Sequence, residues 1–176
     1  KYIKDMVLPP DINTSTEKMA VDYNEGKIRN KLSIISGLGS SAAHKIMSGR
    51  PYKDIKDFVK KKKCGPSMTK KLIHIGVLDS LFNKSDDLEV KITKYAEAVE
   101  QVNFENKLAD YDLKIKEAES DKEKEKIEKR KAKYIEKGPK EPKIDMDYIG
   151  LSAKQDYLIK KSVFPTMNID LQKITS

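Results

Sequence analysis

The chain has 176 residues, 36% of them charged, with a mean hydropathy of −0.68, enough apolar material for a small core with an extended polar appendage. One cysteine, Cys64, and two histidines, His44 and His74, exclude an internal disulfide and a structural zinc site, and residues 1–10 lack the apolar run of a signal peptide or membrane span. The net charge of +8 is concentrated: residues 41–85 carry eleven basic and three acidic side chains, whereas residues 86–176 carry nineteen and twenty. A cytoplasmic setting and an anionic partner are expected, with no membrane. The first residue is Lys1 rather than Met, so the chain reads as a piece of something larger.

In chain order, Val7-Leu8-Pro9-Pro10-Asp11-Ile12-Asn13 is held extended by two prolines that deny it sheet or helix bonds, and should lie across a neighbouring surface. Met19-Ala20-Val21-Asp22-Tyr23 alternates, Asn24-Glu25-Gly26 is a turn, and Lys27-Ile28-Arg29-Asn30-Lys31-Leu32 alternates again, which predicts a small β-hairpin. Residues 32–35 form a brief apolar turn broken by Gly37 and Gly39, and Ser40 is the expected N-cap of a helix over residues 41–47. Gly49 closes it. Pro51 and Asp54 open the next helix, with Ile55, Phe58 and Val59 on one face, and Lys60 to Lys63 end it. Ser67 is the expected cap of a third helix carrying Met68, Leu72, Ile73 and Ile75, stopped by Gly76.

Residues 86–137 are rich in Lys and Glu without Gly or Pro, a composition that predicts long solvated helix. Ser120-Asp121-Lys122-Glu123 has the form of a capping box, so two antiparallel helices joined near residues 119–121 are expected. Their seam would use Ile92, Tyr95, Ala96, Val99, Val102, Leu108, Tyr111, Ile115, Ile127, Tyr134 and Ile135. Apolar character resumes at Ile144, Met146, Tyr148 and Ile149, and a helix over residues 152–161 is expected to pack back on the core.

The most specific feature is Gly37-Leu38-Gly39-Ser40-Ser41-Ala42-Ala43, flanked by apolar turns. This is the form of a helix-hairpin-helix: glycines permit positive φ and close approach of a phosphate, and the N–H groups at the start of the second helix point at the anion. Ser40 and Ser41 add hydroxyl donors, and Lys45 and Arg50 add charge. Such a contact touches phosphate alone and is blind to base sequence. The alternative is a glycine turn between two core helices; a nucleotide P-loop is disfavoured by the missing Gly-Lys-Ser/Thr ending.

Five separated elements, namely the Val7-to-Asn13 run, Ile28-Arg29-Asn30-Lys31-Leu32, the Ile35-to-Gly39 loop, Arg50-Pro51-Tyr52 with Asp57-Phe58-Val59, and Leu72-Ile73-His74-Ile75-Gly76-Val77-Leu78-Asp79-Ser80-Leu81, resemble in order and spacing the C-family replicative DNA polymerases, the bacterial DNA polymerase III alpha subunits and their phage relatives. The resemblance covers the first half of the chain and implies the end of the fingers followed by the tandem helix-hairpin-helix region that grips duplex DNA. It implies that Gly37, Leu38, Gly39, Ser40 and Ser41 present donors to a DNA phosphate, with a second, degenerate hairpin around Cys64 to Ser67. The family's catalytic aspartates lie in a palm absent from this chain. The fragment is therefore expected to be non-catalytic and to hold no cofactor, while the parent nucleotidyltransferase would need Mg2+. Residues 86–143 have no counterpart in the family pattern.

Lys60, Lys61, Lys62 and Lys63 read as a phosphate-binding cluster or as a solvated helix end. Leu78-Asp79-Ser80-Leu81-Phe82 has the form of a sliding-clamp peptide, but its place in an apolar helical end favours a core role. His44 and His74 are expected at the surface or in packing, not as ligands. The expected fold is mainly α, a helix-hairpin-helix core with a small N-terminal β-hairpin and an inserted long, coiled-coil-like helical hairpin. The expected divisions are residues 1–31, 32–85, 86–143 and 144–176. The expected partners are template-primer duplex, bound without sequence preference, and the rest of the polymerase. The alternative function is a protein-interaction module in which residues 92–137 contact another replisome protein.

Overall fold

The computed structural model describes residues 6–144, so the helix expected over residues 152–161 lies outside the described residues. They form two compact units, one up to Ile92 and one from Thr93 to Ile144. The fold is mainly helical, with five α-helices and a three-stranded sheet among the described residues.

The expected β-hairpin is present as β2 (Ala20–Asp22) and β3 (Lys27–Arg29), antiparallel, with Val21 opposite Ile28. Its turn places Gly26 at φ 63°. The sheet has a third member that the prolines were expected to forbid: β1 (Val7–Leu8) pairs parallel with β3, Val7 opposite Ile28. Pro9 and Pro10 do end the strand, but the two residues ahead of them keep their N–H groups and can still pair. Beyond the prolines the segment lies across the helical core, with Pro10 and Ile12 fully buried and the Ile12 N–H donating to Val77 O at 2.9 Å.

A 3-10 turn (Leu32–Ile34) leads through the glycine hairpin into α1 (Ser40–Met47). Helix α2 (Ile55–Lys61) begins as expected at Asp54, whose carboxylate accepts from the Asp57 N–H at 2.7 Å. Helix α3 (Pro66–His74) begins two residues earlier than Ser67 would set it: Gly65 is the N-cap and Pro66 the first helical residue. Proline suits that position because its missing N–H is one that the helix start leaves unbonded in any case. Gly76, at φ 81°, turns the chain after α3, and a 3-10 turn (Asp79–Leu81) follows. The core beneath these elements is aliphatic, with Leu32, Ile35, Ile46, Leu72, Ile73 and Leu78 nearly or fully inaccessible. Leu78 and Leu81 are both buried, which agrees with a core role for the segment that has the form of a clamp peptide.

Helix α4 (Leu88–Glu117) and helix α5 (Asp121–Lys137) realise the expected helical pair. The joint falls at Ser120, whose hydroxyl accepts from the Glu123 N–H at 3.3 Å. Within the second unit, Phe104, Leu108, Tyr111 and Ile115 of α4 and Lys124, Ile127, Lys131 and Tyr134 of α5 are half-buried, each set spaced alternately four and three residues apart as a two-helix seam requires. Phe104 stacks on Tyr134 with ring centroids 5.0 Å apart, and Tyr111 lies 5.8 Å from the same ring. Lys131 reaches across to Asp112. Against the expected seam, Phe104, Lys124 and Lys131 join it, and Ile135 is 51% exposed, because it follows Tyr134 by about 100° around the helix.

Candidate nucleic-acid interface

The geometry of the first hairpin follows from three local causes. The Ile35 and Leu38 N–H groups close back on Leu32 O and Ile35 O at 3.1 and 2.9 Å, and the second bond tightens the loop. Gly37 sits at φ 85°, a conformation that costs an L side chain about 1–2 kcal/mol. Leu38 then turns inward and is 3% exposed, anchoring the loop to the core.

Gly39 has the opposite character. Its φ is −65°, so the left-handed region is not its reason for being glycine, and a β-carbon there would meet open space. It is the N-cap of α1, in place of the expected Ser40, and no side chain bonds to that helix end. The first bond inside α1 runs from the Ala43 N–H to Gly39 O at 2.9 Å. The N–H groups of Ser40, Ser41 and Ala42 are therefore left without intrahelical acceptors, at the positive end of the helix dipole. Gly39, Ser40 and Ser41 are all exposed. An anion placed there meets several convergent N–H donors and the two serine hydroxyls.

Helix α3 supports the loop from below. Lys71 donates from Nζ to Ser36 O at 2.7 Å, and a β-carbon on Gly37 would lie 3.2 Å from the Met68 methyl. Lys71 and Met68 are three residues apart and share a helix face. This lysine holds the hairpin and brings positive charge to its edge. Sequence reading missed it, because nothing local links residue 71 to residue 36. On the other flank, a cleft of about 380 Å³ is lined by Glu17, Lys18, Ser33, Ser40, Ala43, His44 and Met47. His44 is exposed there and contacts Glu17 at 2.9 Å; His74 is 6% exposed, in packing.

The cationic residues singled out in the sequence differ in exposure. Lys45 is exposed, one turn beyond Ser41, and Lys60 and Lys62 are exposed at the end of α2. Arg50 and Lys61 are engaged within the fold. Arg50 donates from Nε to Ile12 O and from Nη1 to Ser15 O, both at 2.5 Å, and burial pulls its pKa below the usual guanidinium value. Lys61 donates to Pro51 O at 2.7 Å, pairs with Asp57 at 2.8 Å and lies 5.0 Å from the Tyr52 ring centre. The Asp57 carboxyl is held below its ordinary range by that bond. Lys63 is half-buried, its stem within reach of Gly49.

The joint between α2 and α3 repeats part of this geometry. Lys62 ends α2 at φ 48°, the region that Gly37 occupies in the first hairpin, and Gly65 caps α3 without a side-chain bond. Cys64 lies between them, half-buried, and burial pushes its thiol pKa up while Thr69 and the Gly65 backbone pull it partly back. A raised pKa means less thiolate at a given pH. Alkylation of Cys64 by iodoacetamide at pH 8, followed by mass spectrometry, is expected to run severalfold slower in the native chain than in urea. Equal rates would mean that the Lys62–Gly65 joint is open in solution.

Among the described residues there is no group of three or more His, Cys, Asp or Glu side chains placed to hold a metal ion, and no helix long and apolar enough to cross a membrane. Comparison with known proteins adds two findings. The chain is 28% identical over 101 residues to "Probable DNA polymerase YorL" of Bacillus subtilis (strain 168) and, equally, to the "DNA-directed DNA polymerase" of Bacillus phage SPbeta. The matched stretch is 55% of this chain and 8% of each relative, so the chain corresponds to a small part of those proteins. No solved structure matches it. Residues 6–87, which contain the sheet, both joints and α1 to α3, match the family model described as "Helix-hairpin-helix motif".

Proposed function

We propose that the first hairpin binds the phosphate backbone of duplex DNA without reading its sequence, and that the chain is a non-catalytic piece of a C-family replicative polymerase, in which this grip holds the template-primer and supports processivity. The observation that carries this reading is the exposed start of α1 at Gly39-Ser40-Ser41, which no side chain caps and which leads directly into the block, residues 41–85, that carries the excess positive charge. The helix-hairpin-helix match and the likeness to DNA polymerases support the choice of DNA over other polyanions. The contact set is Gly37, Gly39, Ser40 and Ser41 through backbone and hydroxyl donors, with Lys45 adding charge and Lys60 and Lys62 extending it; Leu38, whose N–H is taken by Ile35 O and whose side chain is buried, anchors the loop instead of donating. Arg50, Lys61 and Lys63 serve the fold that presents it. The parent polymerase supplies the palm aspartates and their Mg2+, and works in the cytoplasm of a cell or infected host.

Fluorescence anisotropy with duplex oligonucleotides of unrelated sequence tests this. Affinities are expected to agree within about twofold among sequences and to fall linearly on a log–log plot against salt, by about 0.9 per phosphate contacted. Binding that depends strongly on sequence, or no duplex binding at low salt, would overturn the reading.

A further inference from the structure

The second unit looks electrically neutral when counted along the chain, but α5 separates its charges by face. Eight of its seventeen residues are basic and five acidic. Lys122, Lys126, Lys129, Lys133 and Lys137 recur at intervals of four or three, which sets them within about 80° of arc on a helix of 100° per residue, and Arg130 widens the sector by about 20°. All six are exposed. The seam residues Lys124, Ile127, Lys131 and Tyr134 lie roughly 130° away around the helix, so the basic sector faces away from α4. The acidic Asp121, Glu125, Glu128 and Glu136 fall largely in a third sector.

Ion pairing does not absorb this row. Lys129 pairs with Glu125 at 2.6 Å, but Lys122, Lys126, Arg130, Lys133 and Lys137 have no ion-pair partner among the described residues. The contrast is with α4, where Lys107 and Lys114 both close on Asp110 at 2.9 Å. A merely solvated lysine-rich helix interleaves signs at i,i+4 and neutralises them, as that part of α4 does. A row of unneutralised cations of one sign repels itself and becomes favourable when an extended polyanion lies along it.

We infer that the outward face of α5 is a second DNA-backbone contact, using Lys122, Lys126, Arg130, Lys133 and Lys137. From residue 122 to 137 the row is about 22 Å long at 1.5 Å per residue. Duplex DNA carries about one charge per 1.7 Å of axis, so the row spans several phosphates of one strand. Its charges are lysines in the main, point charges on flexible stems that meet phosphates without fixed geometry. The face has neither the aromatic anchors nor the apolar centre of a protein-binding patch. The contact shares its ligand with the hairpin but none of its residues.

The test uses the whole chain with matched pairs of substitutions, Lys126→Gln with Lys133→Gln against Lys107→Gln with Lys114→Gln. Glutamine keeps helix propensity, and both pairs remove two charges. With fluorescent duplex, the α5 pair is expected to lower the salt slope by about 1.8 and to weaken binding about fivefold or more at low salt. The α4 pair is expected to change affinity less than twofold. A parallel titration with one strand alone tells duplex from single-strand backbone, and a selective loss on either supports the contact. Equal losses from both pairs, which would reflect net charge alone, or no loss from the α5 pair on either DNA, overturn it. A Gly39→Asp chain separates the two sites. Binding that survives this substitution but falls with the α5 pair sinks the hairpin reading and keeps this one; the reverse sinks this one. Helical circular dichroism equal to the parent chain's confirms that each variant is folded.

Discussion

Replacing Arg50 with alanine is expected to destabilise the chain by about 2–4 kcal/mol and to leave the salt slope of DNA binding unchanged wherever the variant is folded. Residues 11–15 are tied to residues 50–52 by a closed set of bonds. The Asn13 side chain donates to Tyr52 O and accepts from the Tyr52 N–H, both at 2.9 Å. Ser15 Oγ accepts from the Asp11 N–H at 2.9 Å and donates to Asn30 O at 2.6 Å. The Tyr52 hydroxyl donates to Ile46 O at 2.6 Å, and burial pushes its pKa up to about 12. Arg50 completes the knot by filling the carbonyls of Ile12 and Ser15. A hydrogen bond from a charged donor contributes about 1.5–3 kcal/mol, and removing the donor leaves acceptors stranded where water reaches them poorly. Two such bonds on one fork are not additive, hence the range. Arg50→Lys is expected to recover less than half of the loss, since an ammonium cannot reproduce a two-point fork. Urea unfolding supplies the stability and anisotropy the slope. A slope reduced by about 0.9 with unchanged stability would move Arg50 from the fold to the DNA contact.

Arg50, expected from the sequence to meet phosphate, is held by the fold instead. Composition and spacing place a basic Arg50 eleven residues beyond Gly39, just past the helix that the hairpin opens, which is all that a phosphate contact asks of a sequence. The carbonyls that claim it belong to residues 35 and 38 positions upstream, and only the folded chain brings them near. Lys71 is the converse case, a residue with no local signal that reaches Ser36 because α3 packs under the loop. Local rules succeeded where the cause is local. Asp54 caps α2 through a bond three residues away, Gly26 and Gly76 turn the chain at positive φ, and the alternation around Asn24-Glu25-Gly26 makes a hairpin. They failed by two positions at the start of α3, which Gly65 caps where Ser67 reads as the better cap, and at β1, a strand too short to show a period. In the helical pair, the seam was legible as a repeat but Phe104 was overlooked and Ile135 mis-phased. The segregated basic face of α5 was hidden by counting charge along the chain instead of around the helix.

Gly39→Asp is the substitution for which fold and function are expected to move in opposite directions. The backbone at Gly39, φ −65° and ψ 166°, is the extended conformation of an N-cap, and a β-carbon there meets no atom within 4 Å. Aspartate is among the best residues for that position, its carboxylate accepting from the second or third helical N–H and lying at the positive end of the dipole. Stability is therefore expected to rise by about 0.5 kcal/mol. The same carboxylate occupies the donors that a DNA phosphate would use and sets a negative charge where the phosphate must come. Losing a charge-assisted bond costs about 1.5–3 kcal/mol before repulsion is counted, so the hairpin's share of duplex affinity is expected to fall at least tenfold. The salt slope should fall by about 0.9, one phosphate contact. Gly39→Asn provides the neutral cap and should lie between the parent and Gly39→Asp in affinity, with similar stability. Gly37→Ala answers a different question, since its φ of 85° and the Met68 methyl beneath it make the cost structural, about 1–2 kcal/mol of stability. Thermal melts and anisotropy on these three chains suffice. A Gly39→Asp chain that melts higher and binds duplex as tightly as the parent would mean that the start of α1 is capped for the fold alone and meets no phosphate.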